Sequence, residues 1–270
     1  MADIQEIQDY YEGSVEPIYR SVFGTNLHLA MFEGDESRDE AQQRTKDFLL
    51  SRLPPISAET IIFDLGSGYG DMPRYLTQRL GCRVVGLNLV HIQNVMSLSL
   101  SAKAGLAAQN YAVGADFSQV PFPTGCAEIV WSQESMLHAP HRERVVQEAA
   151  RMLQPGGVFL FTDLLQTGPM EPEEARLIHE RVKIEPLDSF ASYEQYIQTA
   201  GLELDEVADL SHYVARYYED HAQQIEDNRD RLSQVITPEF VDYTATAMRR
   251  WSTAAAEGKL GWGMFLCRKP

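Results

Sequence analysis

Short apolar runs rich in β-branched and aromatic residues recur at 60–64, 83–88, 111–114, 127–131, 158–162, 204–207 and 261–267, and each reads as a strand. Between them lie stretches with helical spacing: 72–80, 91–104, 141–153, 192–200 and a long region from 212 to about 255. Upstream, Ile4, Ile7, Tyr10 and Tyr11 share a helical face, and a second short helix runs from Pro17 to Phe23, with Gly24 to end it. A charged amphipathic helix over 39–52 is stopped by Pro54-Pro55 and is expected to pack on the sheet. Strands alternating with helices make this an α/β chain. Its last strand is expected to run antiparallel and close the sheet, and the leading helical hairpin is placed to serve as a lid.

The stretch Ile61-Ile62-Phe63-Asp64-Leu65-Gly66-Ser67-Gly68-Tyr69-Gly70 organises the rest: a buried parallel strand, a glycine-rich turn, and a helix opening near Asp71. Gly66, Gly68 and Gly70 remove side chains where a ligand approaches the backbone or where φ must be positive. Asp64, at the carboxyl end of the strand, is placed to accept hydrogen bonds from a nucleoside-like cofactor. The spacing of an acid followed by glycines at alternate positions resembles the first motif of the Rossmann-like S-adenosylmethionine (SAM)-dependent methyltransferases. A dinucleotide fingerprint wants glycine at 71, where Asp71 stands, and an acid inside the helix N-terminus repels a pyrophosphate. SAM carries a sulfonium and an amine and no phosphate. Taken alone, the turn also fits an ordinary strand-to-helix connection.

Composition narrows the field. With 270 residues, 44% of them hydrophobic, the chain suffices for one α/β domain with an appended subdomain. Lys+Arg 23 against Asp+Glu 39 leaves a net charge of −16, which argues against a nucleic-acid partner and against an anionic membrane. The acidity reads either as an aid to solubility or as the mark of a salt-rich cytoplasm. Cys82, Cys126 and Cys267 are scattered and lack metal-ligand spacing, so neither a disulfide framework nor a metal site is expected. No secretory or membrane-spanning segment stands out, which points to a cytoplasmic protein acting on a small molecule; homo-oligomerisation is left open.

Further motifs extend the resemblance. Asn88 ends the second strand where the methyltransferase class usually bears an acid for the ribose hydroxyls; its amide accepts one bond and donates another. Ala115-Asp116-Phe117 follow the third strand, where the class holds adenine, the acid on the exocyclic amine and the apolar neighbour on the ring, although Asp116 equally suits a turn cap. Ser132-Gln133-Glu134-Ser135-Met136-Leu137-His138 lie at the carboxyl edge of the sheet, over the expected methyl group. The 141–153 helix, the Gln154-Pro155-Gly156-Gly157 turn and a fifth strand ending at Asp163 recur in the class and are structural. Tyr10-Tyr11, Tyr19 to Gly24, Asp64 to Gly70, Leu87 to Asn94, Trp131 to His138, Phe161-Thr162-Asp163 with Gln166-Thr167, and Trp262-Gly263 through Lys269-Pro270 together resemble the sarcosine/dimethylglycine N-methyltransferase family. More distantly, Tyr19 and His138 match a tyrosine–histidine pair over the reacting amine of phosphoethanolamine methyltransferases, and Glu134 their nearby acid. Leu164 stands where those enzymes bear a phosphate-binding tyrosine, which favours a carboxylate-bearing amine.

The resemblance implies a Rossmann-like, seven-stranded, mostly parallel sheet with its last strand antiparallel, an N-terminal helical lid and a helical insertion near the C-terminus. The expected divisions are 1–58 for the lid and first packing helix, 59–165 for the SAM-binding core, 166–260 for an acceptor-site insertion interleaved with a core strand, and 261–270 for the closing strand. It also implies a cofactor site of Asp64, Gly66, Gly68, Gly70, Asn88, Gln93, Asp116, Phe117 and Gln133, and acceptor contacts from Tyr11, Trp262 and Arg181. His138, oriented by Tyr19, takes the proton of the acceptor amine, with Glu134 an acid near that amine and next in line for the proton; aromatic rings stabilise the quaternary cation. His138 as a capping or surface residue is the plainer reading. Arg176, His179, Arg181 and Lys183 form a basic cluster in an acidic chain, read either as a solvated helix face or as an anion site. Three functions follow: N-methylation of sarcosine or dimethylglycine; methylation of another small acceptor, a phosphobase, another amine or a terpenoid carbon; or SAM binding without catalysis.

Overall fold

Ile61, Ile62 and Phe63 put large apolar side chains on both faces of one strand, so that strand must be covered on both sides. β1 (Ile61–Leu65) accordingly lies inside the sheet, paired parallel with β2 (Arg83–Leu87) on one flank and with β4 (Ala127–Gln133) on the other. The computed structural model describes residues 22, 24–181 and 184–270; the expected helices at 3–12 and 17–23, with Tyr11 and Tyr19, lie outside the described residues. α1 (Arg38–Leu50) opens on a capping box in which Ser37 accepts the Glu40 N–H and the Glu40 carboxylate accepts the Ser37 N–H. α2 (Asp71–Leu80) follows the glycine turn, and α3 (His91–Lys103) leads to β3 (Asn110–Val113), which pairs parallel with β2.

The chain then returns to the opposite flank of β1, where β4 pairs with β5 (Leu153–Gln166) after α4 (Arg142–Met152). α5 (Pro172–Arg181), α6 (Phe190–Thr199) and β6 (Glu203–Asp209) come next. α7 (Val214–Asp227), α8 (Arg229–Leu232) and α9 (Pro238–Ala256) precede β7 (Leu260–Arg268). The sheet has seven strands in the order β3-β2-β1-β4-β5-β7-β6, with β7 antiparallel to both neighbours. The order reverses between β1 and β4, and the carboxyl ends of strands at such a switch point open the crevice in which α/β sheets bind ligands.

β5 is longer than the expected strand at both ends. Gly156 N–H donates to Lys269 O (2.8 Å) and Lys269 N–H to Gly157 O (2.9 Å), so the proline-glycine-glycine segment is recruited into the ladder with β7, and beyond Asp163 the strand runs on to Gln166. The long helical region from 212 is divided into α7, the short α8 and α9, the last opening at Pro238 behind the cap Thr237.

The described chain divides into two compact units. One comprises the described residues up to Ser51 with Leu164–Ser189 and Asp209–Gly263; the other comprises Arg52–Asp163, Phe190–Ala208 and Met264–Pro270. Within the first, α7 packs on α9, with Tyr218 and Trp251 rings 5.0 Å apart and the Ser252 hydroxyl donating to Ala215 O at 2.8 Å. α1 turns its buried Arg38 to α7, where it pairs with Asp220, meets His221 and stands 5.6 Å over the Tyr217 ring. Within the second unit, Phe161 stacks between Phe159 and Phe265 at 4.7 and 4.8 Å. Among the described residues, no helix is long and apolar enough to cross a membrane.

Candidate active site

The site is assembled from the carboxyl ends of β1 to β4, all in the second unit. Gly66 N–H and Ser67 N–H both donate to Leu87 O, at 2.8 and 3.1 Å, which fastens the glycine turn to the end of β2. Gly66 has φ +83°, and a Cβ there would stand 2.3 Å from Ser135 Cβ. A side chain there is therefore excluded by the protein's own packing as well as disfavoured by the positive φ, the second of the two reasons expected for this glycine. At Gly68, with φ +50°, a Cβ would meet nothing of the described residues within 4 Å, which leaves its backbone open as a cradle requires. Gly70 caps α2 in a left-handed conformation. Asp64 is buried at the end of β1.

Asn88 and Gln93 meet across five residues, Asn88 Nδ2 donating to Gln93 Oε1 at 2.8 Å, while Asn94 Nδ2 donates to Asn88 O at 2.9 Å. Asp116 Oδ1 accepts the Ser118 N–H at 2.7 Å, so its turn-capping role is realised. The residue also lines a polar cleft of about 430 Å³ with Ser118, Gln119, Arg144, Gln147 and Glu148. Phe117 is buried, its ring 3.6 Å from the position a Gly66 Cβ would take. Trp131 Nε1 donates to Gln133 Oε1 at 3.3 Å.

Beyond β4 the chain makes a strained turn. Glu134, with φ +42°, is the one non-glycine residue of positive φ among the described residues. Its N–H donates to Thr162 O at 2.9 Å and its carboxylate accepts the Thr162 hydroxyl, so β5 grips the residue twice. Such strain, about 1–3 kcal/mol, persists where the surroundings over-determine it, commonly at functional sites. A 3₁₀ turn over Met136–His138 follows, with His138 N–H donating to Ser135 O at 3.1 Å. Arg142, buried at the start of α4, donates from Nη2 to Leu137 O at 2.7 Å. Burial of the imidazole, and secondarily the Arg142 charge, push the His138 pKa down to about 4, so the ring is neutral at physiological pH.

Comparison with known proteins accords with this geometry. A family model described as a methyltransferase domain matches residues 63–161. A sarcosine/dimethylglycine N-methyltransferase of Aphanothece halophytica is 31% identical, covering 98% of this chain and 97% of its own length. The chain belongs to the sarcosine/dimethylglycine N-methyltransferase family. A relative of the same name from Halorhodospira halochloris is 29% identical over 98% of this chain and 96% of its own. A crystal structure bearing the name sarcosine dimethylglycine methyltransferase, from Galdieria sulphuraria, superposes with a TM-score of 0.90 at 25% identity, covering 96% of this chain and 98% of that one. The protein is a SAM-dependent methyltransferase with the Rossmann-like fold of that family.

The residues present fit the family's cofactor. Ser67 Oγ, Asn94 Oδ1 and Gln133 Nε2 are buried with no hydrogen-bond partner among the described residues, and all three belong to segments at the carboxyl ends of β1, β2 and β4. Each such atom costs about 1–3 kcal/mol until a ligand satisfies it. Trp262, expected at the acceptor, is fully buried in the first unit, its ring edge-on to Tyr213 at 6.5 Å. Arg181 closes α5, with its side chain, like Lys183, outside what is described. Arg176 of the basic cluster is exposed and bound to Glu173 at 2.7 Å, the plainer of its two readings. Thr162, Ser135 and Arg142 were not singled out as site residues by sequence. Thr162 and Ser135 lay inside quoted motifs, but nothing in the sequence marks their contacts.

Proposed function

We propose that this methyltransferase methylates the nitrogen of sarcosine and of dimethylglycine, towards glycine betaine. The observation that carries the reading is the near full-length match to enzymes of that name. Asp64, Gly68, Asn88, Gln93, Asp116, Phe117 and Gln133 are assigned to SAM, which when bound supplies an electrophilic methyl carbon on its sulfonium. In-line displacement requires the acceptor's lone pair to be free and aligned. His138, neutral and half-buried on the turn after β4, is the group assigned to receive the ammonium proton at a ring nitrogen, with Tyr19 orienting the ring. Glu134, clamped by Thr162, supplies a fixed negative charge near the developing cation. Arg181 is assigned to the acceptor carboxylate, whose planar geometry a guanidinium matches with two parallel bonds.

The test is methyl release from labelled SAM across glycine, sarcosine, dimethylglycine, phosphoethanolamine and an apolar isoprenoid, with the product weighed. Dimethylglycine should yield trimethylglycine. Turnover of another acceptor with none of dimethylglycine overturns the reading, and SAM binding with no turnover of any acceptor makes the chain a non-catalytic binder.

A further inference from the structure

Two serine hydroxyls converge on one backbone atom beneath the cofactor turn. Ser135 Oγ donates to Leu65 O at 2.7 Å, Ser132 Oγ donates to the same oxygen at 3.0 Å, and the two hydroxyl oxygens lie 2.9 Å apart. Leu65 is the residue before Gly66, and the side chain that Gly66 lacks is the space Ser135 Cβ fills. Both serines are buried. Their surroundings differ. Ser132 is a strand residue held in register opposite Phe161 of β5, whereas Ser135 belongs to the turn, and its own carbonyl accepts the His138 N–H at 3.1 Å. Ser135 therefore touches the cofactor turn through its side chain and the histidine through its backbone, with no flexible link between.

We propose that Ser135 is a positioning residue that couples occupancy of the SAM turn to the placement of His138. The inference rests on the assignment of His138 to the acceptor proton, but not on which amine is methylated. A ligand seated against Gly68 fixes the glycine turn and with it the Leu65–Gly66 backbone. Through the Leu65 carbonyl, the Ser135 hydroxyl and the close packing on Gly66, that backbone fixes the turn, and through the Ser135 carbonyl it fixes the start of His138. Close-packed interiors transmit such shifts, because there is no slack to absorb them. Ser132 holds the same carbonyl from within the strand and, although its hydroxyl touches that of Ser135, its backbone makes no bond to His138, which makes it the internal control.

The experiment uses the full chain with Ser135→Ala, Ser135→Cys and Ser132→Ala. The wild-type His138 imidazole resonance, assigned by its loss in His138→Gln, should move on addition of S-adenosylhomocysteine. In Ser135→Ala, and in Ser135→Cys if the alanine variant folds poorly, that movement should be largely lost. Affinity for S-adenosylhomocysteine should fall no more than about fivefold, the worth of one ordinary hydrogen bond. kcat with dimethylglycine should fall about ten- to a hundredfold, as expected for a reacting group out of place. Ser132→Ala should keep both the resonance shift and kcat near wild type even where its thermal stability falls as far. Equal effects of the two alanine variants on the His138 shift, or a wild-type resonance that ignores the ligand, overturn the coupling. If the wild type does not methylate dimethylglycine, the acceptor reading fails, and the imidazole shift still decides the coupling.

Discussion

Gly66 and Gly68 share a positive φ and differ in what surrounds them, so the same substitution should do different damage at each. Alanine at Gly68 incurs the left-handed backbone penalty, about 1–2 kcal/mol, and meets no atom of the described residues within 4 Å. For a chain of this size that is a fall of several degrees in Tm. Its methyl group instead projects into the open cradle, where crowding a ligand by one methyl is worth about 1–3 kcal/mol, or roughly five- to 150-fold in affinity. Alanine at Gly66 incurs a similar backbone penalty and also drives its Cβ to 2.3 Å from Ser135 Cβ, a buried atom near the backbone with little freedom to move. Overpacking adds about 1–3 kcal/mol, for a total loss of about 2–5 kcal/mol in stability. Urea unfolding of both variants, beside calorimetric titration with S-adenosylhomocysteine, separates the effects. Gly68→Ala should be the stable variant that binds weakly, and Gly66→Ala the destabilised one. Wild-type affinity in Gly68→Ala, or equal stability of the two, refutes the reasoning.

Thr162→Val removes the hydroxyl that holds the Glu134 carboxylate and should cost about 1–3 kcal/mol in urea unfolding together with a drop in kcat; unchanged kcat would show that the clamp is idle. Asp220→Asn leaves the buried Arg38 charge without its carboxylate and should destabilise by about 3 kcal/mol, measured by chemical denaturation in high salt so that surface charge is screened. Arg181→Lys should raise KM for dimethylglycine by an amount worth about 1–3 kcal/mol with kcat little changed, and an unchanged KM would free the guanidinium of that role. His138→Ala should lower kcat about 10²–10⁴-fold without weakening SAM binding. Because the folded pKa of His138 lies near 4, below its unfolded value, the unfolded chain binds the extra proton between about pH 6.5 and 4, so stability falls on acidification through that window; His138→Ala should flatten that limb in denaturation curves at pH 7 and 4.5.

The parts legible in the sequence were those written in contiguous spacing. The acid-and-glycine turn, the strand periodicities and the residues at strand ends follow from local pattern, and the order of strands follows from the fold class they identify. The Glu134 backbone strain was not legible, because it is imposed by Thr162 from another strand and glutamate has no preference for positive φ. Nor was the seating of Gly66 against Ser135, which are 69 positions apart. The turn of α1 towards α7 was hidden for the same reason: an amphipathic pattern fixes which face is buried and says nothing of what buries it. The extra length of β5 depends on Lys269, which lends its backbone to a segment that reads as a turn by itself.

A histidine with a pKa near 4 raises a question for the proposed chemistry, since an alkylammonium holds its proton far more tightly. Two steps have to be distinguished. Releasing the proton to water at pH 7 is favourable by about 4 kcal/mol for a group three pH units below neutrality, so in the proposed role His138 needs no help to be regenerated. Uptake is the hard step, and burial acts on both partners: the desolvation that disfavours the imidazolium also disfavours the ammonium brought beside it. What distinguishes them is the neighbouring charge. Arg142 opposes a proton on His138, and the Glu134 carboxylate is held by Thr162 on the same turn. Burial and the Arg142 charge, which both disfavour the imidazolium, suit in the proposed chemistry a relay that passes the proton on to solvent rather than a base that keeps it. The strain at Glu134 is then the cost of holding that carboxylate where neither solvent nor a relaxed backbone would leave it.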